Sequence, residues 1–406
     1  MPRFVKNNYM ITLSDRINSM EESATIGMAK KSRELKAQGK DIISLSLGEP
    51  DFFTPKFIKD AAVEAIDKNF TMYTPVSGYD DLRESISLKF RRDNGLEYSK
   101  DQIVVSTGAK QSIANVVLSI INPGDEVIIP APYWVSYLEI VKVAEGKSVV
   151  VHAGIETDFK ITAQQLEDAI TSKTRMLIFS TPCNPTGSVY SKDELFALAQ
   201  VINKHPQLVV ISDEIYEHIN FVGRHESLAQ FPEVYNQVVT INGVSKAWAM
   251  TGWRLGYIGA PKEIANACDK MQGQFTSATC SITQKAAIAA MLADPIVLKD
   301  MIKAFHSRRD LVLAKLNEME GVKTNVPEGA FYVFPDVSAF FGKSYNNYNI
   351  KDSNDLCMYL LDQGLVALVS GDAFGSPECL RISYAASEET LTEAMRRMKN
   401  ALEKLV

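Results

Sequence analysis

From about residue 55 to residue 260 one pattern recurs: a short apolar run closed by turn residues, then an amphipathic stretch. The runs are QIVVS at 102, DEVIIP at 125, KSVVV at 147, RMLIFS at 175, LVVIS at 208, QVVTI at 237 and RLGYIGA at 254. Between many of them lie helix-like segments such as QSIANVVLSII, WVSYLEIVKVA and KDELFALAQVINK. Two more helices are expected upstream. KFIKDAAVEAIDKN would have Thr54 as N-cap and Pro55 as its first residue, and DLRESISLKFRR places Leu82, Ile86 and Phe90 at four-residue spacing. Strand and helix in alternation predict an α/β domain around a mostly parallel, seven-stranded sheet with helices on both faces.

The last third changes character. DPIVLKDMIKAFHSRRDLVLAKLNEM reads as one long helix, followed by the short strands GAFYVFPDV, VALVSG and CLRISYA and two more helices. A chain of 406 residues exceeds the roughly 250–300 residues that one core usually serves. The expected division is a large domain over 49–295 and a smaller α+β domain made of 1–48 and 296–406.

A net charge of −6 without a basic block argues against capture of nucleic acid or an anionic membrane. The first twenty residues, MPRFVKNNYMITLSDRINSM, lack a signal-peptide core, and no apolar run reaches membrane-spanning length. Cys183, Cys268, Cys280, Cys357 and Cys379 are odd in number and never in CxxC spacing, as expected of reduced thiols in a cytoplasmic protein. No HxxxH pair occurs: HES at 225 starts like a zinc-binding helix, but position 229 is Ala. No metal is expected.

In an open α/β sheet, ligands sit beyond the carboxyl ends of the strands. Here those ends are polar. QIVVS runs into TGAKQS, where Thr107, Gly108, Ala109 and Lys110 could either cap a helix or cradle a phosphate. DEVIIP leads to Tyr133 and Trp134, core aromatics or a platform for a flat ring. RMLIFS leads to Asn184 between two prolines, LVVIS to Asp213 and Tyr216, and QVVTI to Lys246 in VSKAWAMTGWRLG. Five strand ends delivering these groups to one edge suit a planar, phosphorylated, nitrogen-containing ring attached to a lysine, which is pyridoxal phosphate.

GVSKAWAMTGWRLG resembles the cofactor-attachment motif of class I aminotransferases, with a small residue before the lysine and an arginine eight positions on. SLGEPDFFTP, YTPVSGYDDLRESI, STGAKQS, NPGDEVIIPAPYWVSY, STPCNPTG, ISDEIYE and LRISYAAS follow the family's order, so the likeness covers nearly the whole chain. Its AMTGWR ending is most similar to prokaryote-type aspartate aminotransferases. The resemblance implies the aspartate aminotransferase-like fold (fold type I) and a role for each matching residue. Lys246 would be joined to the cofactor's aldehyde and would shuttle the substrate α-proton. Asp213 would pair with the ring nitrogen, Asn184 and Tyr216 with the ring hydroxyl oxygen, and Trp134 would stack on the ring. Arg254, Ser245 and the backbone of Gly108, Ala109 and Lys110 would hold the phosphate. Tyr73 would reach the phosphate of a neighbouring subunit, which implies a homodimer with shared active sites. Arg381, beside the Gly48 backbone, would clamp the substrate α-carboxylate.

The implied reaction passes an amino group from an amino acid to a 2-oxo acid by a ping-pong route, with aspartate and 2-oxoglutarate as substrates. In the resembled subgroup Lys110 and a threonine, here Thr25 in ESAT, serve the second carboxylate. Two departures from the animal and enteric subgroup stand out: Gly243 replaces a phosphate-binding serine, and no partner-chain arginine for the distal carboxylate is identifiable. Prephenate or arogenate, aromatic or neutral amino acids, and β-elimination at the same cofactor are the alternatives. A cofactor-binding regulator is the reading from another class; it is disfavoured because no basic recognition helix precedes the large domain.

Overall fold

The computed structural model describes residues 11–406. At its centre is a seven-stranded sheet of β1 (Ile103–Ser106), β2 (Glu126–Ala131), β3 (Lys147–His152), β4 (Thr174–Ser180), β5 (Val209–Asp213), β6 (Val238–Gly243) and β7 (Gly256–Gly259). The spatial order is β1-β7-β6-β5-β4-β2-β3. All pairings are parallel except those of β7, which runs antiparallel to both β1 and β6.

Alternate residues along these strands enter two separate cores. Val105, Ile128, Leu177, Val210 and Val238 belong to one; Val104, Val127, Met176, Ile211 and Val239 belong to the other. Each face is therefore covered, which is why the runs read as continuously apolar. Each buried side chain of this kind contributes about 1.5–3 kcal/mol. The helices Ala109–Ile120, Ser136–Val143 and Lys192–Asn203 fall where amphipathic periodicity predicts them. Ser191 and Glu194 close a reciprocal cap at the start of the third.

Two expectations are corrected. Thr54 does not cap the helix Lys56–Asp67: Pro55 holds the cap position, and the Thr54 hydroxyl instead donates to the Ala249 carbonyl at 2.8 Å. The long C-terminal helix starts at Lys299, because Asp294 caps a tight 3₁₀ turn over Pro295–Leu298 before it.

The C-terminal region carries a three-stranded sheet of β8 (Tyr332–Val333), β9 (Val369–Ser370) and β10 (Leu380–Ser383), in the order β9-β10-β8. The N-terminal segment joins it. Ile43–Ser44 pairs in parallel with Val366–Ala367, and the Leu45 carbonyl accepts from the Ser383 N–H at 2.9 Å. That pairing brings Ser46, Gly48 and Glu49 across to the open end of the large sheet. Among the described residues no helix is long and apolar enough to cross a membrane, and all five cysteines are free.

Candidate active site

The carboxyl ends of β1, β2, β4, β5 and β6 surround a cavity of about 510 Å³. Its lining includes ten of the residues singled out from the sequence: Gly48, Ala109, Lys110, Trp134, Asn184, Asp213, Tyr216, Ser245, Lys246 and Arg254. Of the two aromatics after β2, Trp134 faces the cavity, whereas Tyr133 is buried and donates its N–H to the Phe374 carbonyl.

The turn after β1 forms one wall. Gly108 holds φ +88, which favours glycine, and a Cβ there would lie 2.2 Å from an Arg254 guanidinium nitrogen and push the guanidinium from this wall. Its own N–H donates to the Ser106 carbonyl, and that of Thr107 to Gln111 Oε1. Among the described residues, the donors left without a partner at this helix start are the Ala109 and Lys110 N–H groups, beside Ser245 and Arg254. An anion fits there, held by two unpartnered N–H groups and a guanidinium.

Asp213 closes the far wall, and its Oδ2 accepts from the Tyr137 hydroxyl at 2.7 Å. Burial pushes its carboxyl up to about 6 against the pull of that hydrogen bond. A cationic ring N–H would relieve this cost. The Lys246 ammonium donates to the Gly48 carbonyl at 2.5 Å and lies 5.5 Å from the centre of the Tyr216 ring. Burial, and after it the charge of Arg381, lowers its pKa to about 8. A lysine so tuned supplies free amine near neutral pH.

Arg381 stands behind Asn184. Its Nη1 donates to Asn184 Oδ1 at 2.8 Å and its Nη2 to the Ser46 carbonyl at 2.6 Å, while its buried Nε has no partner among the described residues. A guanidinium with N–H groups to spare suits a carboxylate. Asn184, with its oxygen committed to Arg381, can offer only its NH₂ to the cavity.

Four predicted residues do not line this cavity: Gly108 and Arg381 stand directly behind residues that do, and Thr25 and Tyr73 lie away from it. Thr25 sits half-buried in the first turn of the helix Ala24–Ala37, and its neighbour Ile26 takes the place on the rim. Tyr73 is 99% exposed in a separate surface depression with Met72 and Cys280. Three other residues were not anticipated. Tyr137 follows Trp134 by three residues, a helical spacing that could have revealed it. Glu49, bonded to Thr251, and Tyr332, bonded to Tyr216, reach the site from distant segments that no local pattern connects. Lys110 lies over the Trp134 ring at 5.0 Å, so its cationic end reaches the cavity wall that Trp134 forms.

Residues 40–398 match the family model described as aminotransferase class I and II. The bifunctional aspartate aminotransferase and glutamate/aspartate-prephenate aminotransferase of Petunia hybrida is 48% identical over 97% of this chain and 83% of its own length. The aspartate aminotransferase of Rhizobium meliloti superposes with a TM-score of 0.95 at 42% identity, covering 98% of this chain and all (100%) of the other. That of Thermus thermophilus, solved with maleate, gives 0.91 at 39% identity over 97% and 100%.

Proposed function

The chain belongs to the class I and II aminotransferases, and from that premise we propose that it moves the amino group between aspartate and 2-oxoglutarate. The observation that carries this is the convergence of Lys246, Asp213 and Asn184, with Arg381 bonded directly behind Asn184, on one cavity that Lys110 also lines. Relatives named aspartate aminotransferase, and one solved with the dicarboxylate maleate, support a two-carboxylate substrate. The prephenate activity in the name of the Petunia hybrida relative makes that dicarboxylate the second reading.

The residues present fit pyridoxal phosphate. Ala109 and Lys110 N–H, Ser245 and Arg254 would take the phosphate, Asp213 the ring nitrogen, Asn184 and Tyr216 the ring hydroxyl, and Trp134 the ring face. When bound, the cofactor supplies an electron sink for the substrate's Cα–H bond. Arg381 would orient the α-carboxylate and Lys110 the distal one, for which the family resemblance also offers Thr25. With the cofactor bound, the neutral Lys246 amine would take the substrate α-proton on its Nζ and hold it for return. Asp213 would keep a proton on the ring nitrogen. Water would supply the oxygen that replaces the transferred nitrogen, releasing a 2-oxo acid, and a second 2-oxo acid would take the amino group by the reverse sequence.

Tyr73 and Met72, at 99% and 83% exposure, support a homodimer in which Tyr73 serves the neighbouring subunit. The pairing of Ile43–Ser44 with Val366–Ala367 supports a small domain of 1–48 and 296–406 beside a large one of 49–295, residues 1–10 lying outside the described ones. The free thiols fit a cytoplasmic home. The experiment is a half-reaction: the holoprotein is mixed separately with aspartate, glutamate, phenylalanine, alanine and arogenate, and conversion to the aminated cofactor is followed by absorbance. Rapid conversion by aspartate and glutamate is expected. Conversion only by a neutral or aromatic amino acid would overturn the substrate.

A further inference from the structure

We propose that Tyr332 is a positioning residue that serves both halves of this site: its hydroxyl directs the Tyr216 proton into the cavity, and its ring holds the Arg381 guanidinium in plane. The proposal rests on the roles given above to Tyr216 and Arg381.

Tyr332 opens β8 and pairs with Ser383 of β10, two residues beyond Arg381, and it is fully buried. Its hydroxyl lies 2.7 Å from that of Tyr216, and among the described residues it meets no other hydrogen-bond partner. A phenol has one proton to donate. If Tyr216 spent its proton on Tyr332, the Tyr332 proton would be left buried without an acceptor, which is costly. The favoured arrangement has Tyr332 donating to the Tyr216 oxygen. Tyr216, which lines the cavity, then keeps its own proton for the group bound there. A hydroxyl that accepts one hydrogen bond becomes a stronger donor in the next.

The ring performs the second task. The Arg381 guanidinium carbon lies 4.6 Å from the Tyr332 centroid and 4.9 Å from that of Phe374. Held against these rings, it keeps a fixed plane for a bidentate carboxylate. Gly48 completes the arrangement, because a Cβ at that position would lie 2.2 Å from the Tyr332 hydroxyl oxygen. The hydroxyl thus fills the space a side chain would take, beside the carbonyl that receives Lys246.

Two variants separate the tasks. Tyr332→Phe removes the hydroxyl and keeps the ring; Tyr332→Leu removes both, with Tyr332→Met as its substitute if the leucine variant fails to fold. Each holoprotein is read twice: by the absorbance of lysine-bound pyridoxal phosphate against pH, and by the Kd for maleate. Asp213, Glu49, Arg381 and Arg254, the charged groups acting on Lys246, are unchanged in all of them. Weaker donation by Tyr216 favours the protonated lysine adduct, so the absorbance midpoint of Tyr332→Phe should rise by about half a unit to one unit. Its maleate Kd should stay within about twofold. The leucine or methionine variant should show the same midpoint shift and a maleate Kd raised roughly 3- to 30-fold.

An unmoved midpoint in Tyr332→Phe overturns the hydroxyl's role, and an unmoved Kd in the ring-deleted variant overturns the ring's. Tyr216→Phe is the control for the underlying reading. If that variant also leaves the midpoint in place, it is the role of Tyr216 that fails.

Discussion

Strand β5 ends in a segment, DEIYEH, that feeds two polar clusters of opposite kind. Asp213 and Tyr216 turn to the cavity; Glu214, Glu217 and His218 turn away from it. On the far side Glu214, fully buried, accepts from Ser212 at 2.8 Å and Ser227 at 2.6 Å and contacts His225 Nε2 at 2.9 Å. Glu217 pairs with Lys89 and accepts from Asn94 at 2.7 Å. Asp93, Glu217 and His218 lie close enough to gather a cation, and the Lys89 ammonium already is that cation. Burial alone would raise the Glu217 carboxyl, but Lys89, His218 and His225 pull it down to about 2. Asp213, four residues earlier, is pushed the other way. A buried carboxylate with its cation in place is structure, and one still waiting for a cation is a site.

The sharpest break in that comparison is Lys246→Ala. Removing the one group that both carries the cofactor and moves the proton should cost at least on the order of 10⁴-fold in turnover. The thermal unfolding midpoint should stay near that of the wild type. A related signature is kinetic: capture of pyridoxal phosphate by the apoprotein needs the neutral amine, so its rate should fall about tenfold per pH unit below about 8 and level off above it.

Glu217→Ala probes the closed cluster. Leaving Lys89 buried and unpaired should destabilise the fold by roughly 3–5 kcal/mol in denaturant titrations, and the double replacement Lys89→Met with Glu217→Met should recover most of it. The sign with pH follows from the lowered carboxyl. Its contribution is complete above roughly pH 4.5 and is lost as pH falls through about 2. A Glu217→Ala protein as stable as the wild type would erase the distinction between the two clusters.

Lys110→Ala should act on one substrate class. It should lower kcat/KM for aspartate by roughly 10- to 100-fold, the value of a hydrogen bond to a charged group, while alanine turnover changes far less. Equal losses for both would remove Lys110 from the distal-carboxylate role. The smallest effect is expected of Tyr137→Phe. It deletes the hydrogen bond that holds the Asp213 carboxylate ionised, so the Asp213 pKa should rise by about half a unit to one unit, read from the pH dependence of cofactor affinity. No shift would mean that the Tyr137 hydrogen bond has no part in setting this carboxyl.

Periodicity and turn chemistry were enough to predict the sheet, its helices and the polar strand ends, because each is written within a dozen neighbouring residues. Lys246, Asp213, Asn184 and Trp134 were found in this way, each just beyond a run that could only be a buried strand. The capping role expected for Thr54 failed because a long-range acceptor, the Ala249 carbonyl, took its hydroxyl. Thr25 and Tyr73 match their motifs, yet neither lines the cavity of this chain.

The sequence by itself determined the α/β alternation and the identities of the chemical groups, since burial and backbone geometry constrain residue types locally. Tertiary structure alone decided which groups share a partner. Tyr332 meets Tyr216 across 116 positions, Arg381 meets Asn184 across 197, and Glu217 rather than Asp213 receives Lys89. Those choices depend on distances between segments that only the packed sheet brings together. In a low-dielectric interior, such distances determine whether a charge is satisfied or left reactive.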